Sequence, residues 1–176
     1  MAYRRSSARR WPPPDPAAED ALIPLTKAVF SDKVRGRAET ALAECYEALG
    51  RNEEAELRFL NAIKRKDEAL ELGLTAYARF LIRAGRTAES LQPLDQALRR
   101  NDLSAEAHFQ MGRALFQLEK LNDALDHLER AVQLKPNAGP ARLLLARLYR
   151  RLGREADARR EEQAAFALQR PAHPPD

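Results

Sequence analysis

Small and apolar residues recur along this chain at an almost constant interval, and that period limits the fold more than any other feature. A small residue is followed by a tyrosine or leucine three residues later and by two further small residues at twelve and nineteen. Each series advances by 35, then 34, then 34 residues, so residues from about 36 to 170 form four units of one repeat. The four series are Ala43, Ala78, Gly112 and Ala146; Tyr46, Leu81, Leu115 and Tyr149; Ala55, Ser90, Ala124 and Ala158; and Ala62, Ala97, Ala131 and Ala165.

The clearest unit is residues 105–136, which form two amphipathic stretches joined by a short turn. Counted from the first residue of this stretch, Gly112, Ala124, Ala131 and Pro136 occupy positions 8, 20, 27 and 32. This arrangement resembles the tetratricopeptide repeat, a helix–turn–helix unit of about 34 residues. The resemblance implies an all-α fold, a right-handed α-solenoid of helix–turn–helix tetratricopeptide repeats.

The repeat register also divides the chain into segments. A helix before the first full repeat carries small residues at the spacing of a second repeat helix, so it is predicted to be an unpaired half repeat. We expect a flexible Arg/Pro-rich arm at 1–14, the unpaired N-terminal helix at 15–35, repeats at 36–70, 71–104, 105–138 and 139–170, and a tail at 171–176.

The turn inside each repeat is predicted to need a left-handed residue. Gly50, Gly85 and Gly153 stand at this position in three repeats, and Glu119 replaces the glycine in the remaining one. A helix often ends at a residue with positive φ, which glycine adopts without the steric cost that a β-carbon brings.

No pattern typical of a catalytic or metal site is present in the sequence. His108 holds a repeat position that normally packs on a neighbouring helix, His127 is predicted on a helix surface, and His173 lies in the tail. No two histidines have the spacing of metal ligands, and no glycine-rich phosphate loop follows a strand. We therefore expect no enzymatic activity, no cofactor, no metal and no small-molecule substrate.

Cysteine content and charge bear on compartment and partners. The single cysteine, Cys45, allows no intrachain disulfide, which fits a cytoplasmic location. Residues 1–14 contain four arginines and no acid, which equals the whole net charge of +4, so the repeats are balanced. Nucleic-acid binding is therefore expected only through the N-terminal arm. No apolar run approaches the roughly 20 residues of a membrane span.

The resemblance implies a concave groove lined by the first helix of each repeat, at repeat positions 5, 9, 12 and 13. Arginine binds carboxylates with two hydrogen bonds and phenylalanine supplies buried area, so we expect a protein or peptide partner with acidic groups. This makes the chain an interaction module, an adaptor or assembly factor, although individual arginines could simply be solvated. The predicted groove residues are Thr75, Arg79, Ile82, Arg83, Phe109, Arg113, Phe116, Gln117, Leu143, Arg147, Arg150 and Arg151.

An alternative role places the binding surface at the N-terminus. The chain would then be a structural subunit of a larger ribonucleoprotein or membrane-associated complex, docked through the arm and the first helix. Arginines would attract an acidic or phosphate-bearing surface and a tryptophan would anchor it. The arm residues concerned are Tyr3, Arg4, Arg5, Arg9, Arg10 and Trp11.

Overall fold

A computed structural model of the chain describes residues 16–31, 34–64 and 68–168. These residues form nine α-helices and one 3₁₀-helix, Thr87–Ser90, and contain no β-strand. The predicted all-α class is therefore confirmed. The α-helices are α1 Pro16–Ala28, α2 Arg35–Ala48, α3 Asn52–Lys64, α4 Leu70–Arg83, α5 Leu91–Arg100, α6 Ala105–Gln117, α7 Leu121–Leu134, α8 Gly139–Arg151 and α9 Glu155–Ala167.

The helices fall into two compact units, divided between residues 65 and 66. In the first unit, α2 packs against both α1 and α3. In the second unit, α4 pairs with α5, α6 with α7, and α8 with α9, each pair being a helical hairpin with a short connection. Successive hairpins of this second unit touch through α5 and α6 and through α7 and α8, while α6 also contacts α4 and α8.

The small residues of the repeat lie where the helices meet. Ala124 and Ala131 of α7 are at most 1% exposed, and the corresponding residues of the other described repeats are at most 2% exposed. A small side chain at a contact point lets two helix backbones approach closely. The larger leucine side chains fill the remaining space between the helices. Leu128, Leu145 and Leu148 are fully buried or nearly so in the core of the second unit.

The four turns inside the helical hairpins share one conformation. Gly50, Gly85 and Gly153 have φ of 73°, 80° and 73°, and Glu119 has φ of 60°, which confirms the predicted left-handed position. In each turn, the residue that directly follows the positive-φ residue donates its backbone N–H to the carbonyl oxygen five residues before it, at 2.8–2.9 Å, as in a Schellman motif. The acceptors are the backbone carbonyls of Tyr46, Leu81, Leu115 and Tyr149, the recurring tyrosine and leucine positions.

The hairpin of α4 and α5 differs from the others because a 3₁₀ turn precedes α5. Pro93 is the third residue of α5 and is buried. Proline offers no N–H, and in an α-helix its ring would clash with the carbonyl of Glu89 four residues earlier. The chain therefore enters α5 through the tighter turn. Within this turn Thr87 Oγ1 donates to Gln117 Oε1 at 2.8 Å, which joins the 3₁₀-helix to α6.

Candidate functional site

A cleft of about 410 Å³ opens between α6 and α8 in the second unit. Its lining includes two phenylalanines, two leucines and two arginines, so an apolar floor lies beside positive charge. Six of its eight residues belong to the predicted groove. The lining residues are Phe109, Arg113, Phe116 and Gln117 of α6 and Pro140, Leu143, Leu144 and Arg147 of α8.

Helical spacing explains why these side chains meet. Phe109, Arg113 and Phe116 stand four and three residues apart, so they occupy one face of α6. Leu143 and Arg147 are related in the same way on α8. Because α6 and α8 pack against each other, the two faces form the walls of one cleft, which we call the α6–α8 cleft.

Arg113 lies close to other positive charges and is partly shielded from solvent. Its side chain is half-buried, and Nη1 donates to Gln110 Oε1 at 3.4 Å. Burial lowers the pKa of the guanidinium first, and the charges of Arg83 and Arg79 lower it further, while Glu106 acts in the opposite direction. The site is therefore positive in potential and partly desolvated, a setting in which an incoming anion interacts more strongly than in water.

The second arginine of the cleft, Arg147, is exposed. Among the described residues, neither Arg147 nor Arg113 forms an ion pair with a carboxylate. The neighbouring Arg142 does, through Glu161 of α9. The α6–α8 cleft thus holds two guanidinium groups that form no ion pair with a carboxylate of the described chain.

Arg150 and Arg151 were predicted to lie in the groove, but each forms an ion pair with a glutamate outside the cleft. Arg150 Nη2 lies 2.5 Å from Glu162 Oε2, and Arg151 Nη2 lies 2.5 Å from Glu119 Oε2. Neither residue lines the cleft. The guanidinium carbon of Arg151 nevertheless lies 6.0 Å from the centre of the ring of Phe116, which does line the cleft. Their charges are therefore largely compensated within the chain.

The four predicted residues on α4 do not line the cleft either. Thr75 is buried and its Oγ1 donates to Glu71 Oε1 at 3.4 Å, while Ile82 belongs to the core of the second unit. Thr75 and Ile82 therefore offer almost no exposed surface, because they lie on the face of α4 that packs inside the protein. Arg79 is half-buried and Arg83 is exposed, and the charges of both lower the pKa of Arg113 in the cleft.

Two cleft residues, Pro140 and Leu144, were absent from the predicted groove. The spacing of Pro140, Leu144 and Arg147 on one face of α8 was the signal that could have identified them.

A second opening of about 510 Å³ adjoins the α6–α8 cleft and shares Phe109 and Pro140 with it. Glu106 at this second opening adds a negative group next to the positive cleft.

His108 of α6 and His127 of α7 come together, although their sequence spacing suggested no pairing. Their Nδ1 atoms are 3.0 Å apart, and His108 Nε2 lies 3.0 Å from the carbonyl oxygen of Asp102. Burial lowers the pKa of His127, as does His108, whereas Asp126 and Asp123 act in the opposite direction. The prediction that His127 lies simply on the helix surface was therefore wrong.

Within the described ranges, no group of three or more His, Cys, Asp or Glu residues could hold a metal ion.

The arm residues Tyr3, Arg4, Arg5, Arg9, Arg10 and Trp11 lie outside the described residues. On α1 and in the turn that follows it, Ile23 and Phe30 are 68% and 80% exposed. None of the described helices has the length and apolar character required to cross a bilayer.

Comparison with known proteins supports the repeat assignment. Residues 105–138 match the family model of the tetratricopeptide repeat. No curated protein is significantly similar to this chain in sequence. Among solved structures, a MamA protein from Desulfovibrio magneticus RS-1 is 18% identical with a TM-score of 0.71, covering 88% of this chain and 86% of its own.

Two further structures share the fold. YrrB, described as a tetratricopeptide-repeat protein with an unusual peptide-binding site, is 22% identical with a TM-score of 0.65, covering 87% of this chain and 78% of its own. The human IFIT1 dimer with PPP-AAAA is 26% identical with a TM-score of 0.71, and the match covers 82% of this chain but 34% of IFIT1. The shared fold is an all-α solenoid of repeats, an architecture typical of protein interaction modules.

Proposed function

We propose that this chain, which belongs to the tetratricopeptide-repeat family, is a non-enzymatic interaction module whose α6–α8 cleft binds a peptide segment of another protein. The observation that carries the proposal is the lining of the cleft. Phe109, Phe116 and Leu143 form apolar walls, and Arg113 and Arg147 add two charges without a carboxylate partner in the described chain. These are the features of a surface that buries an apolar anchor and pairs with an acid.

The chemistry of the cleft defines the peptide. A volume of about 410 Å³ falls in the range of ligand pockets and accommodates a few side chains. We propose that a leucine or an aromatic side chain inserts between Phe109 and Phe116. An Asp or Glu nearby on the same segment would accept hydrogen bonds from Arg113 and Arg147.

A basic segment fits the cleft poorly. Burial and the neighbouring charges of Arg83 and Arg79 already disfavour the positive charge of Arg113. A second cation would add repulsion there, whereas an anion would relieve it. YrrB, which has the same fold and is described as having an unusual peptide-binding site, provides a precedent for peptide binding by a protein of this architecture. In this proposal the chain acts as a cytoplasmic adaptor or assembly factor.

Selection from a peptide library tests this proposal. The full chain is immobilised and exposed to a library of random ten-residue peptides, once at low salt and once at high salt. We expect the selected sequences to combine an acidic residue with a leucine or aromatic one and to bind less tightly at high salt. Selected sequences without enrichment of acidic residues would contradict the proposed chemistry of the cleft.

A further inference from the structure

The second opening, which adjoins the α6–α8 cleft, is lined by charges of both signs. Its volume is about 510 Å³, and its polar side chains include Glu106 of α6 together with Lys135 and Asn137 in the connection from α7 to α8. All three residues are exposed. Most of the remaining lining residues are alanine or glycine, which leaves space for an incoming side chain among the polar groups.

A buried glutamine links this opening to the cleft. Gln110 of α6 is only 2% exposed, and its Nε2 donates to Glu106 Oε1 at 2.7 Å. The same side chain accepts through Oε1 from Arg113 Nη1 at 3.4 Å. Gln110 therefore holds an acceptor at the second opening and a cation in the α6–α8 cleft on one face of the helix.

Glu106 and Lys135 line the same opening, and no ion pair joins them in the described part of the chain. A carboxylate only accepts hydrogen bonds and an ammonium group only donates them, whereas the amide of Asn137 does both. An occupant that pairs with these groups therefore needs both a donor and an acceptor. A charged side chain would be attracted by either Glu106 or Lys135, repelled by the other, and deprived of its hydration.

We propose that the peptide bound in the α6–α8 cleft also places the carboxamide of an Asn or Gln side chain in the second opening, a proposal that rests on the function proposed above. The NH₂ group of this side chain donates to Glu106, and its carbonyl oxygen accepts from Lys135 or Asn137. The opening thereby selects an amide over an apolar or a charged side chain.

The geometry of α6 sets the distance between the amide and the acidic residue of the peptide. Glu106 and Arg113 are seven residues apart, which is about 10 Å along the helix axis. A ten-residue peptide is too short to form a stable helix in water, so it binds in an extended conformation. In a polyproline II segment, a side chain returns to the same face after three residues, an advance of about 9 Å. The amide therefore lies three residues from the acid.

The peptide library exposed to the full chain tests this proposal without any variant. Among selected peptides that carry the acidic residue and the apolar anchor, we expect Asn or Gln to be enriched three residues from the acid. Peptides that carry the acid and the anchor without this enrichment would overturn the amide site and leave the proposed function intact. Peptides that lack the acid would contradict the proposed function and the amide site together.

A series of variants of one selected peptide measures the preference of the opening by fluorescence anisotropy. Replacement of the amide residue with Ala should weaken binding to the wild-type chain by about tenfold, as expected when a hydrogen bond to a charged group is lost. Replacement with Lys or Glu should also weaken binding. An Ala, Lys or Glu peptide that binds as tightly as the original would contradict the proposal.

Reversal of one charge should change the preference of the opening. In Lys135→Glu both charges of the opening are negative, so the Lys peptide should bind this variant more tightly than the amide peptide does. The control Lys120→Glu makes the same change at an exposed position that lines neither opening, and it should keep the wild-type order. Circular dichroism checks that both variants remain helical. A helical Lys135→Glu variant that keeps the wild-type order would overturn the proposal.

Discussion

The absent side chain of Gly112 makes room for Leu128. A β-carbon on Gly112 of α6 would lie 2.6 Å from Leu128 Cγ and 3.2 Å from the carbonyl oxygen of Ala124, both on α7. Leu128 is fully buried, so it cannot withdraw into solvent. The close approach of these two helices therefore depends on a single missing methyl group.

Gly112→Ala should destabilise the chain. Overpacking a core contact costs about 1–3 kcal/mol, whereas the better helix propensity of alanine returns about 1 kcal/mol. We expect a net loss in the free energy of unfolding, measured by urea denaturation. Gly139→Ala is the matched control, because a β-carbon there would meet nothing within 4 Å. Equal stability of the two variants would show that α6 and α7 do not pack as described.

Gly153→Ala isolates the effect of backbone conformation. A β-carbon on Gly153 would have no neighbour within 4 Å, but its φ of +73° is unfavourable for any residue with a side chain. We predict a loss of about 1–2 kcal/mol in the free energy of unfolding. Gly139→Ala again serves as the control, since it adds the same methyl group in open space without a positive φ. A Gly153→Ala variant as stable as this control would refute the left-handed turn between α8 and α9.

The ion pair between Arg142 and Glu161 should contribute more to stability than the one between Arg151 and Glu119. Arg142 and Glu161 are only 16% and 17% exposed, and Arg142 Nε also donates to the carbonyl oxygen of Pro136 at 2.7 Å. Glu161→Gln is therefore expected to cost about 1–3 kcal/mol.

The matched change Glu119→Gln removes a carboxylate that is 63% exposed, and water already screens such a pair. We predict a cost of at most about 1 kcal/mol for this variant. Thermal unfolding of both proteins in one buffer measures the difference. A Glu119→Gln variant less stable than Glu161→Gln would mean that burial does not determine the strength of these two pairs.

The sequence predicted the fold well because the constraints on it are local and repeated. A residue such as Gly153 must end a helix with a positive φ, and a residue such as Ala131 must be small enough for two helices to touch. Both requirements recur in every repeat. The cleft was predicted in part for the same reason, since Phe109, Arg113 and Phe116 share one face of a single helix.

The remaining features depend on contacts between residues far apart in the chain. Arg151 pairs with Glu119, 32 residues away, and no periodicity shows which of the many glutamates it meets. His108 and His127 are on different helices, so their meeting depends on the rotation of α6 and α7 about their axes. Thr75 and Ile82 were predicted to be in the groove from their repeat positions alone, whereas their burial depends on how the chain packs around α4.

The central claim, that the α6–α8 cleft binds an acidic peptide with an apolar anchor, is tested most directly by reversing one charge. A fluorescent peptide from the library selection is titrated with the wild-type chain and with Arg147→Glu, and binding is followed by fluorescence anisotropy. Arg147 is exposed, so the substitution should leave the helices intact. The control is Arg159→Glu, which makes the same charge change at an exposed position of α9 outside the cleft.

We predict that Arg147→Glu weakens the peptide affinity at least about tenfold, which corresponds to about 1.4 kcal/mol, while Arg159→Glu binds as the wild type does. Equal affinities for Arg147→Glu and Arg159→Glu would contradict the account, because the peptide would then bind at a surface other than the α6–α8 cleft.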